Sequence, residues 1–307
     1  MSARELKEKF IKGVFSSIAA LSILFIFFIF IFLFVKAYPA IEEFGASLLT
    51  LKWEINSDNL LKSQFGLLSH IFGTVAVGIG AMIVAIPLGI SAAVYLSELA
   101  SNKIRVILKP LIELLAGIPS VVYGFVGALL LGKWLQASFG MQTINTLLAA
   151  ALILGIMALP IIVSLSDDAL KAVPKDMKDA SLALGASKWQ TTKKVTIPSA
   201  ISGISSSVIM GFGRAIGETM AVLMVIGAAE KLPMIENLPL IGELPFDIFE
   251  TTTTLTAGIA GGAPVAYGVW INVLFVMGII LFVIVMCTSI LSEVLQHRTK
   301  LKFEGKL

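Results

Sequence analysis

The sequence predicts an all-α polytopic membrane protein with six transmembrane helices, and three observations carry that prediction. Of its 307 residues, 57% are hydrophobic and only 14% charged, with a mean hydropathy of +0.94. Soluble domains carry about 25% charged residues. Six apolar runs, near residues 14–35, 71–95, 108–131, 145–165, 199–228 and 268–291, approach or exceed the length a helix needs to cross a bilayer. The basic residues then alternate between the two sides of those runs.

The first run follows Arg4, Lys7, Lys9 and Lys12 as a secretory signal would, but it is longer than a signal core and no small-x-small cleavage site follows it. It is expected to stay as an uncleaved anchor. With the N-terminus inside, segments 1–13, 96–109, 166–198 and 292–307 hold 4, 3, 6 and 4 Lys/Arg. The outer segments 36–70, 132–144 and 229–267 hold 3, 1 and 1, so both termini are expected in the cytoplasm. Residues 1–70 thus form a tail, the first span and an outer loop, 71–291 the main transmembrane domain, and 292–307 a cytoplasmic tail.

Several function classes fall away early. One cysteine, Cys287, and two histidines, His70 and His297, cannot build a disulfide framework or a Cys/His metal site. The net charge of +3 is too small to suggest nucleic acid. Gly127-Ala-Leu-Leu-Leu-Gly132-Lys133 resembles the start of a phosphate loop, but Trp134 stands where Ser or Thr must hold magnesium, and no strand precedes it. No nucleophile with a nearby base and no paired-carboxylate site is present, so neither catalysis nor a cofactor is expected. The series Gly203, Ser207, Gly211, Gly213 and Gly217 is a small-residue ridge suited to close helix packing.

Two loops stand out. The inner loop 166–198, SDDALKAVPKDMKDASLALGASKWQTTKKVTIP, is polar yet places Met177, Ala180 and Leu184 at helical spacing between Pro174 and Gly185, which predicts a short docking helix. The outer loop 229–267 contains a loose six-residue echo from Leu232 to Phe249, whose prolines at 233, 239 and 245 forbid a continuous helix. It is acidic, and is either an ordinary exposed loop or a contact surface for an extracytoplasmic partner. The four-Thr run Thr251–Thr254 lies in it as well.

GFGRAIGETM, residues 211–220, places two full charges in an apolar run. At about 1.5 Å per residue back from residue 228, Arg214 lies about 21 Å deep and Glu218 about 15 Å. On one continuous helix the two would share a face and neutralise each other. Inserting an arginine costs about 2.5–3.5 kcal/mol, whereas an i,i+4 pair in water returns about 0.2–0.5 kcal/mol, and Arg before Glu is the poorer order. Ionisable groups at this depth point to function. A guanidinium offers a bidentate fork to a tetrahedral oxyanion, and a carboxylate can accept from a P–OH group, which phosphate has at neutral pH and sulfate lacks. Arg214, Glu218 and the adjacent Thr219 are the candidate substrate contacts. Glu113, near the inner end of the third run, reads as an interface residue or a helix–helix hydrogen-bond partner.

Asp179-Ala180-Ser181, Gly185 and Val195-Thr196-Ile197-Pro198 fall at the spacing of EAA-x3-G-x9-I-x-L-P, with Asp for Glu and Ser for Ala as the two departures. The chain therefore resembles the membrane subunits of binding-protein-dependent ABC importers. FGLLSHIFGTVAVGIGAMIVAIPLGISAAVYLSE (65–98), LIELLAGIPSVVYGFVG (111–127), GRAIGETMAVLMV (213–225) and TLTAGIA (254–260) are similar to the PstC-type permeases of phosphate importers. The resemblance covers roughly residues 45–295 and implies a type I importer permease fold with a coupling helix near 175–188. It implies that Asp179, Ala180, Ser181, Gly185 and Ala186 seat in an ATPase subunit. The partners it implies are a second permease in a heterodimer, two ATPase subunits and a periplasmic or lipid-anchored phosphate-binding protein. A permease for sulfate, molybdate or tungstate, a self-sufficient anion channel or carrier, and a structural or sensory membrane protein are the competing expectations.

Overall fold

The computed structural model describes residues 3–56, 58–227, 234–238, 242–245 and 247–303. Helix α1 (Ala3–Phe44) leads through a 3-10 turn to a short antiparallel pair, β1 (Trp53–Glu54) and β2 (Gln64–Phe65). Helix α2 (Leu68–Val94) ends in a π turn, Tyr95–Leu99, before α3 (Asn102–Ala116). Helix α4 (Ser120–Val126) continues through a second π turn, Gly127–Gly132, into α5 (Lys133–Phe139), and α6 (Leu147–Lys171) follows. The segments α7 (Lys175–Ala183), α8 (Lys188–Thr191) and α9 (Ile197–Ser199) lead into α10 (Ile201–Ile216) and α11 (Met220–Ile226). A hairpin of β3 (Met234–Leu238) and β4 (Gly242–Pro245), then α12 (Leu255–Gly262) and α13 (Val269–Phe303), complete the order.

Among the described residues five helices are long and apolar enough to cross a membrane, and a sixth crossing arises if Lys188–Ser199 and Ile201–Ile216, bent by 68°, form one span. The expected six are reached with that bent pair counted as one span, and two spans differ from their sequence outlines. The third runs over Ser120–Phe139 rather than 108–131. Gly117-Ile118-Pro119 stops α3, because the residue before a proline is driven out of the α region, and Pro119 itself is extended (φ −58°, ψ 138°). Helix α3 is left as a separate amphipathic helix, and Glu113 lies exposed on it, outside any span. The fifth run, 199–228, is not one helix either: it breaks between Ile216 and Met220. Of the outer-loop echo, residues 232–233, 239–241 and 246 lie outside the described residues, as do Glu230 and Lys231. The stretches between them pair as the β3–β4 hairpin, with Ile235 opposite Leu244.

Lipid tails are as apolar as leucine, so helices associate here through close packing rather than hydrophobic transfer. Helices α2 and α6 form the most extensive pair, and small residues make it possible. A Cβ on Gly80 would meet Ala151 at 2.8 Å, and one on Gly155 would meet the Ala81 carbonyl at 3.0 Å. Val77, Ala81, Ala85, Ala150, Leu154 and Ala158 fill the seam. Helix α10 lies across both, with Gly211 against Ile162. Helices α1 and α13 pair beside this core, linked by ring contacts of Phe30 with Phe282 (5.4 Å) and Phe32 with Phe275 (5.8 Å). Many of their other apolar side chains, such as Phe25 and Phe27 on α1, are exposed in the isolated chain.

Gly73 in α2 tests the close packing. A Cβ there would drive into the backbone carbonyl of Thr253, which cannot swing aside as a side chain could. Helix propensity favours Ala over Gly by about 1 kcal/mol, while overpacking a tight site costs about 1–3 kcal/mol, and a backbone obstacle places this site at the upper end. Gly73→Ala is expected to lower the melting temperature of the purified protein in detergent, whereas Gly13→Ala, with nothing within 4 Å, should leave it unchanged or raised.

Candidate functional site: a broken helix and an exposed loop helix

Helix α10 buries Ile204, Ser207, Gly211 and Ala215, spaced to line one side. Ser207 Oγ lies 2.6 Å from Ser166 Oγ of α6, so even the polar member of that face is satisfied. The other side presents Met210, Gly213 and Arg214 to the exterior. Arg214 occupies the last turn of α10, where a cation is favoured by the helix dipole. It is exposed and, among the described residues, makes no ion pair. Tyr123 of α4 lies within electrostatic reach of it.

Glu218 is not Arg214's helical neighbour, as one continuous helix would have made it. It sits in the break, 8% exposed. Its N–H donates to Ala215 O (3.4 Å), and its Oε1 accepts from Ala221 N (3.4 Å), so the carboxylate caps the first turn of α11. Its carbonyl accepts from Thr256 Oγ1 (2.9 Å). The last residue of the four-Thr run supports the element that carries Thr256. Thr254 caps α12 through Ala257 N (3.1 Å), and Leu255 N donates to Thr74 Oγ1 of α2 (2.9 Å). Thr219, half-buried, donates weakly to Gly217 O (3.5 Å). At the far end of α11, Asn145 Nδ2 donates to Met224 O (2.9 Å). Among the candidate contacts, then, Arg214 lies open while Glu218 and Thr219 shape the break beside it.

The inner loop forms its predicted short helix, α7, starting after Pro174. Gly185 ends it at φ +85°, a left-handed conformation open to glycine at little cost. Its N–H donates to Leu182 O (2.9 Å) and that of Ala186 to Ser181 O (3.3 Å), closing the turn. Ser187 and Gln190 then form a capping box that opens α8. Ser181 Oγ, 3.0 Å from Thr191 Oγ1, fastens the two helices together. Asp179, Ala180 and Gly185 are exposed, Ser181 and Ala186 half-buried. Around them Leu184 is 90% exposed, with Met177 and Trp189 also open: an apolar patch on an otherwise charged loop.

One cluster escaped the sequence reading. Asp167, 1% exposed near the end of α6, faces Arg105 (3.5 Å), Lys109 (3.4 Å) and Lys171, and Lys109 also reaches Asp168 at 2.9 Å. It anchors α3 to α6. The side chains lie more than fifty residues apart in sequence, except Lys171, whose i,i+4 spacing from Asp167 was a visible cue.

Helical crossings packed through small residues, a broken fifth span and a protruding short helix define a membrane permease of the importer type. Residues 85–301 match the family described as binding-protein-dependent transport system inner membrane component, and the chain belongs to that family. It is a permease subunit of an ABC importer. It is 39% identical over 254 residues to the "Probable ABC transporter permease protein YqgH" of Bacillus subtilis (strain 168), covering 82% of this chain and 78% of that one. It is 35% identical over 272 residues to the phosphate transport system permease protein PstC of Mesorhizobium japonicum, again covering 82% and 78%. Among solved structures, a bacterial alginate ABC transporter in complex with its pentasaccharide-bound periplasmic protein matches with a TM-score of 0.64 at 13% identity, covering 96% of each chain. The MetNI methionine transporter in an inward-facing form matches at 0.55 and 17%, covering 76% of this chain and 94% of that one.

The anchoring cluster gives a pH prediction. The hydrogen bond from Lys109 to Asp168 raises the lysine pKa above its ordinary 10.5, helped by the charges of both aspartates and opposed by burial. The stability this contributes is complete below 10.5 and is lost as pH climbs through the raised value. The melting temperature of the unaltered protein should therefore fall more steeply above pH 10.5 than that of Lys109→Met, which has no such charge to lose.

Proposed function

We propose that this chain is one of two permease subunits of an ATP-driven phosphate importer, with Arg214 as the transient ligand of the ion. The observation that carries this reading is the position of Arg214: beside an internally satisfied helix break, on an uncovered face, with no carboxylate paired to it among the described residues. Two of the four oxygens of a phosphate can take the planar guanidinium fork. Thr219 adds a hydroxyl beside it. Glu218 holds the break in shape through one carboxylate oxygen, and its second oxygen is the acceptor for a P–OH group. Similarity to PstC proteins supports phosphate over other oxyanions. YqgH carries no substrate in its name, so competition of uptake by sulfate, molybdate and tungstate is the direct check.

In this reading the second permease covers the open face formed by Met210, Arg214, Val121, Val122 and Phe125, and the translocation path runs between the two. Two separate ATPase subunits take the apolar patch around α7 into a cleft, with Asp179, Ala180, Ser181, Gly185 and Ala186 at the contact. A periplasmic or lipid-anchored phosphate-binding protein delivers the ion from the side of the β3–β4 hairpin. This subunit performs no catalysis itself. A self-sufficient channel would give the docking loop no purpose.

Two experiments test the reading. Arg214→Gln, in the assembled and reconstituted complex, should leave ATP hydrolysis running while phosphate uptake drops by roughly 10- to 100-fold, the worth of about 1.5–3 kcal/mol for a charged hydrogen bond. Arg214→Lys should recover part of it. Uptake at the unaltered rate by Arg214→Gln would remove the arginine from the path. Separately, Gly185→Val places a β-branched residue at a left-handed φ, at a cost of about 1–2 kcal/mol. Retention of the ATPase on an affinity column should fall accordingly, with the membrane helices still folded by circular dichroism.

A further inference from the structure

We infer that the ion pair between Lys178 and Glu98 is the strut through which the docking helix α7 moves the membrane helices. The inference rests on the reading of α7 as the ATPase-docking helix. Lys178 Nζ lies 2.7 Å from Glu98 Oε1 and 3.5 Å from the Leu170 carbonyl. Glu98 belongs to the π turn that ends α2, and Leu170 to the last turn of α6. A single amine therefore joins α7 to both members of the most extensive helix pair in the protein.

The rest of α7 makes no such connection to α2 or α6. Its backbone bonds close its own turns, and Ser181 bonds to Thr191 at the start of the bent limb that leads into α10. Apart from Lys178, the described side chains of α7 offer no hydrogen bond or ion pair to α2 or α6. The loop is also covalently tied to α6 through the short turn at Ala172–Pro174, whose Val173 is buried. The Lys178 pair adds a side-chain link to the π turn that ends α2.

The pair is built to be stiff. Its two side chains are 21% and 14% exposed, so solvent screens it less than a surface pair. Ser97 Oγ donates to the same Glu98 oxygen at 3.1 Å, fixing the acceptor. The π turn under it is a wide turn of the kind enriched at functional positions. Helix α10 lies across α2 and α6, so a displacement entering at Lys178 reaches the helix that bears Arg214 through packed small residues.

The test uses the full complex in proteoliposomes, with two readouts: ATPase retained on affinity purification, and radiolabelled phosphate taken up per ATP hydrolysed. Lys178→Met and Glu98→Gln should each retain the ATPase while uptake per ATP falls about fivefold or more, the usual scale of coupling between sites. The charge swap, Lys178→Glu with Glu98→Lys, should restore the ratio to within about twofold if the pair acts as a unit. Single variants with the unaltered ratio would overturn the strut. So would a swap no better than either single change, or single variants that lose the ATPase, since the pair would then serve docking alone. Failure of the docking reading itself shows elsewhere: the unaltered chain would retain no ATPase, and the strut would fall with it.

Discussion

A helix broken inside a bilayer has no water to take up the backbone groups it frees, and each one left bare costs several kcal/mol. The interruption between α10 and α11 is shaped by that constraint. Ala215 O receives the Glu218 amide, the Glu218 carboxylate receives the Ala221 amide, and Thr256 donates to the Glu218 carbonyl. Thr256 sits on α12, whose start is bound to Thr74 of α2. Three elements distant in sequence thus converge on one gap of three residues. The gap is a built feature, and changing any of these groups would alter the shape of the break just beyond Arg214.

The close approach needed for those bonds explains the small residues. Gly73 lets the Thr253 carbonyl pass against α2, and without that approach Thr74 could not reach Leu255 N. The α2–α6–α10 seam works in the same way, with glycines at the crossings and serines paired where the seam is polar. Packing of this kind is bistable rather than compliant, because interiors at crystal density do not deform smoothly. Helices so joined shift as a body, which is what a transport cycle driven from one end requires.

The features legible in sequence were those with local causes. Apolar length gave five crossings and a sixth with the bent pair, and Pro174 and Gly185 gave the short inner-loop helix and its two ends. Where hydropathy was averaged over a window, local breakers were smoothed away. Ile118-Pro119 was a readable stop that the apolar run concealed, so α3 merged with the third span. The break at Gly217–Thr219 had a weaker cue, a glycine and a threonine, and its decisive support is Thr256, 38 residues on from Glu218. The Asp167 cluster depends on lysine and arginine from α3 and had no local signature beyond Lys171.

The separation of Arg214 from Glu218 also changes the energetic argument for a functional arginine. A continuous helix would have offered a neutralised pair and hence a structural excuse for both charges. In the folded chain Glu218 is committed to capping α11, and no described acid compensates the guanidinium. A lone arginine facing lipid would cost about 2.5–3.5 kcal/mol even on the lenient scale, a large share of a marginal stability. That cost disappears only if the face bearing Arg214 looks onto water or an anion. A second permease enclosing a hydrated path against that face supplies this environment. A guanidinium with no ion pair among the described residues, on an apolar helix, is therefore an argument that this face meets a partner or water rather than lipid.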